Sequence, residues 1–177
     1  MIKIIDNYLM PYEHDMIRAY FEGDMDNGTV DGSCNWNFVD GCAQLGDGHF
    51  HFNSLIHSMF EVRVPRAYEL LKPLIERTNM SSIARIKANC MLKTHELMVF
   101  TNGFHDDYPP ESNIITGIYY INTNDGYTLF ENGQKCDSVA NRFCMFPSGM
   151  KHTATTCTTT NRRLLINFNF TTYDKHF

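Results

Sequence analysis

The chain has 177 residues, of which 43% are hydrophobic and 20% are charged, and its formal net charge is −5. This length suits a single domain with a sizeable core, and no apolar run approaches the roughly 20 residues that a membrane-spanning helix needs. The acidic balance disfavours a nucleic-acid-binding surface, because phosphate contacts require clustered Lys and Arg.

The N-terminal stretch MIKIIDNYLMPYEHD matches neither a signal peptide nor a transit peptide, since acidic side chains come early and no small-residue cleavage site follows. It predicts a cytoplasmic protein. The cysteines form no C-x-x-C pair, and in a reducing compartment such cysteines are typically free, buried thiols. They are Cys34, Cys42, Cys90, Cys136, Cys144 and Cys157.

The first helical pattern lies at residues 12–22, and Gly23 ends the predicted helix. Its apolar face comprises Met16, Ile17, Tyr20 and Phe21. Residues 24–48 are rich in Gly, Asp and Asn and predict loops with room for one short strand.

Helical patterning returns at residues 53–61 and 65–78. In the second of these, Pro65 suits the first turn and Pro73 predicts a kink. Its apolar face comprises Tyr68, Leu71, Leu74 and Ile75. Residues 1–80 are therefore predicted to form a helical and loop-rich support region.

From residue 82, short runs of β-branched and aromatic residues replace the helical patterns. The runs are IARIKANCML, HELMVF, NIITGIYYIN, GYTLF, NRFCMF and RLLINFNF, and turn signals such as NTNDG and ENGQ separate them. About eight short strands at this spacing predict a mostly β fold, a barrel or a two-sheet jelly roll, with the N-terminal helices packed on the outside of one sheet. No Gly/Ser-rich linker divides the halves, so residues 1–177 are expected to form one domain.

The segment FHDDY, residues 104–108, contains an H-x-D pair. In an extended segment, side chains two residues apart project from the same face, so His105 and Asp107 can meet at one point. The same residues could instead form a polar turn ahead of Pro109 and Pro110, so the H-x-D pair alone is weak evidence for a metal site.

Two later residues favour a metal site. His152 follows the run NRFCMF, and with His105 and Asp107 it completes the two-histidine, one-carboxylate set that leaves three positions of an octahedral Fe(II) open. Arg163 opens the last apolar strand, where a buried guanidinium requires an anionic partner. The alternative is that Arg163 is a surface residue at the start of a strand.

These residues, in this order, resemble the Fe(II)/2-oxoglutarate-dependent dioxygenases, above all their prolyl 4-hydroxylase-like branch and small oxygenases of bacteriophages. The resemblance covers residues 83–170 and rests on FHDDY, TGIYYINTNDGYTLFENG, NRFCMFPSGMKHTATT and RRLLINFNF. It implies a double-stranded β-helix, which is a jelly roll, over residues 81–177. The first 80 residues carry no motif of the family.

The resemblance also implies the residues of the site. The expected iron ligands, which are also the expected catalytic residues, are His105, Asp107 and His152. The expected binding residues for 2-oxoglutarate are Arg163, Tyr120 and Asn89. Arg163 is preferred to Arg162 because strand alternation places it in phase with the inward positions Leu165, Asn167 and Asn169.

The activity that the resemblance implies is hydroxylation of a C–H bond, with release of succinate and CO2. The expected cofactors and co-substrates are Fe(II), 2-oxoglutarate and O2, with ascorbate as a further candidate. The favoured substrate is a prolyl-type residue of a peptide or protein, acted on in the cytoplasm, which is that of the host if a phage encodes the chain. No oligomeric partner is inferred.

Two alternatives stay open. The first is hydroxylation of a free amino acid or another small metabolite. The second is a jelly-roll module that binds a metal or ligand without catalysis, although such a module has no use for Arg163. The HFH segment at residues 49–51 has no third ligand at a usable spacing, and we expect it to be a surface or substrate-loop feature.

Overall fold

The computed structural model describes residues 1–23, 33–42 and 45–173. The elements, in chain order, are β1 (Lys3–Ile5), α1 (Pro11–Glu22), β2 (Asn37–Gly41), β3 (Leu45–Ser58), β4 (Glu61–Val62), α2 (Pro65–Arg77), β5 (Met80–Leu92), β6 (Ile115–Tyr120), β7 (Tyr127–Phe130), β8 (Lys135–Asp137), β9 (Arg142–Pro147), β10 (His152–Ala154) and β11 (Arg162–Thr172). Two short 3-10 turns, Thr101–Gly103 and Pro110–Ser112, lie between β5 and β6.

Two antiparallel sheets make up the β structure. The larger has the order β1-β9-β6-β11-β5-β3-β2, with β4 paired to β3, and the smaller has the order β10-β7-β8. The last strand, β11, pairs with β5 on one side and with β6 on the other, so it lies at the centre of the large sheet. The fold is mostly β and a jelly roll, which confirms the predicted fold class.

The two faces of the large sheet bury two separate apolar clusters. One face packs on the helices and contributes side chains such as Ile166 and Phe168 of β11 to a cluster that includes Ile17 and Leu71 of the helices. The other face meets the small sheet, where Leu165 of β11 packs with Phe130 of β7. Each such buried side chain stabilises the fold by about 2 kcal/mol. The helices therefore lie on the outside of one sheet, as predicted.

Both helices begin at a proline, which needs no hydrogen-bonded N–H in the first turn. Helix α1 ends at Gly23, whose φ of 96° favours glycine. Its buried face contains Ile17, Tyr20 and Phe21 as predicted, but Met16 is 55% exposed, and His14 is buried instead. The His14 Nδ1 atom lies 2.7 Å from the Tyr119 hydroxyl, which joins the helix to β6.

Two predicted elements are wrong. Residues 53–61 are not a helix, because β3 runs to Ser58 and pairs with β5 along its second half. Its apolar residues Met59 and Phe60 are exposed in the turn before β4. The HELMVF segment, residues 95–100, is not a strand: only an isolated bridge from Val99 to Thr155 is formed.

The front half contributes more β structure than the sequence predicts. Strands β1 to β4 all join the large sheet, and β2 and β3 account for much of the segment predicted as loops with one short strand. Residues 24–32 and 43–44 of that segment lie outside the described residues, and residues 33–36 belong to no helix or strand. All six cysteines are free, as predicted, and Cys42 alone among them is half-buried. Within the described ranges, no helix has both the length and the hydropathy needed to cross a membrane.

Candidate active site

One cavity opens at the end of the jelly roll, with a volume of about 440 Å³ that includes open solvent at its mouth. Strands β3, β5, β6, β7, β10 and β11 all contribute to its wall. The lining residues are Cys42, His49, His51, Lys87, Asn89, Met91, His105, Ile118, Thr128, His152, Thr153, Ala154, Leu165 and Asn167. The mixture of apolar walls and a few convergent polar groups is typical of a small-molecule site.

The structure brings the three predicted metal ligands together at this cavity. One ligand atom from each of His105, Asp107 and His152 lies within 4.8 Å of the other two, and no other such group of three occurs in the described residues. The backbones of His105 and His152 exchange two hydrogen bonds of 3.1 and 3.0 Å, which hold the two rings side by side. The distance is short enough for one ion to bind all three after small side-chain rotations.

Both histidines are held in the tautomer that a metal requires. The Nδ1 atom of His105 lies 2.8 Å from the Gly103 carbonyl oxygen, and that of His152 lies 3.0 Å from the Met150 carbonyl oxygen. A carbonyl only accepts, so each Nδ1 must carry a proton, and in the neutral ring the lone pair that can bind a metal is on Nε2. Burial lowers the pKa of His152, which keeps that ring neutral near pH 7.

Asp107 sits in a cradle of donors. Its Oδ2 atom accepts hydrogen bonds from Thr116 Oγ1 at 2.8 Å and from Asn169 Nδ2 at 3.1 Å, and it lies 3.9 Å from His152 Nε2. Its Oδ1 atom pairs with Arg85 Nη2 at 2.5 Å. Burial alone raises the pKa of Asp107, but the nearby positive charge and these hydrogen bonds outweigh it and lower the pKa to about 2. The carboxylate is thus ionised and fixed in orientation.

Replacing Arg85 with Met in the metal-free protein is expected to lower the free energy of unfolding by about 2 kcal/mol. Asp107 is then a buried charge without a cation, and the loss falls below that of a fully buried pair because Arg85 is 29% exposed. Denaturant-induced unfolding at pH 7, with a metal chelator present, measures this change in the free energy of unfolding. Arg63→Met, which breaks an exposed pair with Glu61, is the matched control and should cost less than about 1 kcal/mol. Equal losses in the free energy of unfolding of the two variants would contradict the role of Arg85 as the counter-ion of buried Asp107.

Arg163 is fully buried at the closed end of the jelly roll, whereas Arg162 is half-buried and donates to the Glu22 carbonyl oxygen. The strand phase predicted for β11 is therefore the one observed. The guanidinium bonds only to uncharged groups: Ser138 Oγ at 2.6 Å, Thr128 Oγ1 at 3.3 Å and the Thr155 carbonyl oxygen at 3.4 Å. Within the described part of the chain it forms no ion pair, so its charge lacks a counter-ion.

The surroundings of Arg163 leave it little freedom. Gly126 lies directly over it, and a Cβ there would fall 2.6 Å from Arg163 Cδ. The Tyr120 ring lies beneath the guanidinium, 5.7 Å from its centre, and the Tyr120 hydroxyl donates to Thr128 Oγ1 at 2.8 Å. Thr128 lines the cavity, so Arg163 and Tyr120 stand behind it, while Asn89 is itself part of the wall.

The interpretation of the HFH segment as a surface or substrate-loop feature is wrong, because the segment lies within strand β3 and both of its histidines are buried. His49 and His51 are each 4% exposed and line the same cavity as His105. The His49 ring stacks on Phe100 with centroids 4.1 Å apart. Burial and the neighbouring positive charges lower the pKa of His49 to about 3 and that of His51 to about 4, so both rings are neutral at pH 7.

Cys42 approaches the metal-ligand group from β2. Its Sγ atom lies 3.6 Å from His105 Nε2. Burial lowers the pKa of His105, but the contact with Cys42 and the hydrogen bond to Gly103 outweigh it and raise the pKa to about 9. A metal that binds His105 therefore displaces a proton from this ring.

Sequence reasoning missed several residues of the site, and one signal for them was present. Along β5 the letters R-I-K-A-N-C-M alternate, so that Arg85, Lys87, Asn89 and Met91 share the cavity face. Asn89 alone was recognised from this row. Thr116 and Thr128 carry no sequence signal, because their roles depend on which strands lie beside them.

Neither a protein-family model nor a curated protein matches the chain. Solved structures do, and they share the jelly-roll fold of the 2-oxoglutarate-Fe(II) oxygenases. This confirms, at the level of fold, the resemblance noted in the sequence.

Three of these structures illustrate the range. A prolyl hydroxylase from Trichoplax adhaerens, in complex with a hypoxia inducible factor oxygen degradation domain peptide fragment, is 18% identical with a TM-score of 0.59, over 96% of this chain and 83% of that chain. An oxidoreductase of the 2OG-Fe(II) oxygenase family from Burkholderia pseudomallei is 12% identical with a TM-score of 0.60, over 96% and 84%. A non-heme alpha ketoglutarate dependent carbocyclase from nogalamycin biosynthesis is 12% identical with a TM-score of 0.63, over 98% and 80%.

Proposed function

We propose that this chain is an Fe(II)- and 2-oxoglutarate-dependent dioxygenase that hydroxylates a C–H bond. The observation that carries the proposal is Arg163, a fully buried guanidinium without a carboxylate partner in the described residues, which donates to Thr128 in the wall of the cavity where His105, Asp107 and His152 meet. A buried charge is costly unless a counter-ion arrives, and a ligand carboxylate is the natural one. A metal-binding module without catalysis would have no need of it.

The residues present fit the metal and the co-substrate. His105, Asp107 and His152 would hold Fe(II), a donor set that leaves positions open for other ligands. Arg163 would hold the distal carboxylate of 2-oxoglutarate, with Tyr120 beside it and Asn89 on the wall. When bound, Fe(II) and 2-oxoglutarate supply the oxidising chemistry, in which O2 is consumed and succinate and CO2 are released. Met91, Ile118 and Leu165 give the cavity apolar walls that exclude water.

For the prime substrate we propose a prolyl-type residue of a peptide, since one structure with this fold was solved with a peptide fragment bound. A small metabolite, such as a free amino acid, is the second candidate, and the unpaired ammonium of Lys87 in the cavity wall favours it. The use of ascorbate, the cytoplasmic location, the single-domain organisation and the kinship with bacteriophage enzymes remain predictions from the sequence.

The proposed function predicts a visible metal-to-ligand charge-transfer band when Fe(II)-loaded protein is titrated with 2-oxoglutarate without O2. The band reports chelation of the co-substrate by iron that the protein itself holds. On admission of O2, slow formation of succinate should follow even without a prime substrate. A protein shown to contain stoichiometric iron that gives neither band nor succinate would exclude the enzyme and leave the binding-module alternative.

A further inference from the structure

Lys87 places an unpaired ammonium in the wall of the cavity. It lies on the cavity face of β5, between Arg85 and Asn89. No hydrogen bond or ion pair joins its Nζ atom to any residue in the described ranges. It is also the one lysine or arginine among the cavity-lining residues in those ranges. Lys87 is half-buried; burial and the like charge of Arg85 lower its pKa, the negative charges of Cys42 and Asp107 oppose this in part, and an anion at the ammonium would offset the rest.

Arg85, two residues earlier on the same face, differs from Lys87 because its charged group has both an ion pair and a hydrogen bond. Its Nη2 atom pairs with Asp107 and its Nε atom donates to Asn169 Oδ1 at 2.9 Å. Both oxygens of Asp107 already have partners in Arg85, Thr116 and Asn169, and no ion pair joins this carboxylate to Lys87 in the described residues. Asp47, another carboxylate near this cavity wall, is also engaged elsewhere. It accepts hydrogen bonds from the backbone N–H groups of Cys42 and His49.

The neighbours of Lys87 add hydrogen-bonding capacity that the protein also leaves unused. Asn167 stands beside Lys87 across the β5–β11 pairing, and its Oδ1 atom is buried without a partner. The Oδ1 atom of Asn89 and the Nδ1 atoms of His49 and His51 are buried without partners as well. Buried polar atoms are satisfied in almost all native proteins, so four such atoms in one cavity wall indicate a polar ligand.

The co-substrate does not account for Lys87. Under the proposed function, one carboxylate of 2-oxoglutarate goes to the metal and the other to Arg163, and Lys87 remains without a counter-ion. We propose that Lys87, with Asn167 and His51 beside it, binds a carboxylate of the prime substrate. The ammonium supplies the charge, the Asn167 amide and a neutral imidazole supply N–H donors, and the free amide oxygens accept an N–H of the same substrate.

This inference rests on the proposed function and narrows its substrate class to molecules that present a carboxylate. A carboxylate of this kind has two sources, a free amino acid or the C-terminal residue of a peptide. Both sources present a carboxylate beside an N–H donor, and the test below distinguishes between them.

The test is calorimetric titration of the Fe(II)- and 2-oxoglutarate-loaded protein, without O2, with pairs of acids and their primary amides. The probes are the free amino acids, L-proline first, and N-acetyl dipeptides that end in the same residues. At least one acid is expected to bind about 10- to 100-fold more tightly than its amide, the range of a charge-assisted hydrogen-bonded pair. Preference for the free or the acetylated series identifies the source.

Four variants locate the effect. Lys87→Met should erase the preference for the acid, and Lys87→Arg should keep part of it. Lys93→Met, an exposed lysine just after β5, is the matched control and should behave as the wild type. The affinity for 2-oxoglutarate should change less than about 2-fold in Lys87→Met but fall strongly in Arg163→Met.

Four results would overturn the inference. Acids and amides bind equally, or no acid of the panel binds. Alternatively, Lys87→Met keeps the preference, or Lys87→Met loses 2-oxoglutarate as Arg163→Met does. The last result would assign Lys87 to the co-substrate. Failure of the proposed function is separate, since it appears as a missing charge-transfer band in the wild-type protein before any acid is added.

Discussion

Replacing His152 with Ala is expected to remove tight metal binding from the cavity and to abolish 2-oxoglutarate turnover. His152 supplies one of the two imidazole nitrogens of the site, and its partner atoms on His105 and Asp107 lie within 4.8 Å. Loss of an outer-shell partner alone costs roughly 10- to 100-fold in metal affinity, so loss of a ligand should cost more than about 100-fold. Titration with Mn(II), followed by electron paramagnetic resonance, measures the affinity without relying on activity.

His95→Ala is the matched control, because His95 is an exposed histidine outside the cavity, and its variant should bind Mn(II) as the wild type does. His51→Ala is the sharper comparison. His49 and His51 line the same cavity as His105, although these three rings form no group of metal ligands in the described residues. Retention of Mn(II) in His51→Ala with loss in His152→Ala assigns the metal to the predicted group. The reverse pattern would contradict it.

Most strands of the back half were predictable because they are short runs of β-branched and aromatic residues separated by turn signals. In β11, Leu164, Ile166 and Phe168 face the helices, while Leu165 and Asn167 face the cavity. A strand that separates two different environments fixes its own register, since a slip of one residue exchanges every side chain between the faces. The position of Arg163 follows from that phase alone.

The segment around β3 misleads because a local pattern competes with a distant pairing. Ile56, Met59 and Phe60 have the spacing of a helix face, but β3 pairs with β5, about 30 residues later, and shifts register between Leu55 and His57. The Met59 backbone, with a φ of 52°, then turns the chain toward β4. Neither the distant partner nor the register shift can be read from the segment itself, so the intrinsic pattern loses to tertiary structure.

That error concealed two residues of the cavity wall, His49 and His51. With residues 24–48 predicted as loops and residues 53–61 as a helix, the HFH segment between them was assigned to the surface or to a substrate loop, whereas it lies within β3. The unpaired state of Lys87 could not be seen from the sequence either, because it depends on how Asp107 is used by Thr116 and Asn169 from two other strands. Ligand types can be predicted from a motif, but unused hydrogen-bonding capacity becomes visible only when every neighbour is known.

Replacing Arg163 with Met is expected to weaken 2-oxoglutarate binding by about 100-fold while leaving metal affinity unchanged. A charge-assisted, bidentate contact with a carboxylate is among the strongest polar contacts that a side chain makes, and Met keeps much of the length and volume of the arginine without its charge. The charge-transfer titration measures the affinity. Arg162→Met is the matched control, since Arg162 lies on the same strand and donates to a backbone carbonyl instead.

Stability separates a co-substrate clamp from a structural arginine. If Arg163 waits for a ligand, the ligand-free protein bears the cost of an uncompensated buried charge, and replacing it with an apolar side chain of similar size should leave the free energy of unfolding unchanged or raise it. The wild-type protein should gain about 2.7 kcal/mol when 2-oxoglutarate is present at 100 times its dissociation constant, and Arg163→Met should gain almost nothing at that concentration. If Arg163 instead serves the fold through Ser138 and Thr128, the ligand-free variant loses stability and still gains from 2-oxoglutarate. The two accounts predict opposite signs for the ligand-free protein, so one pair of melts decides between them.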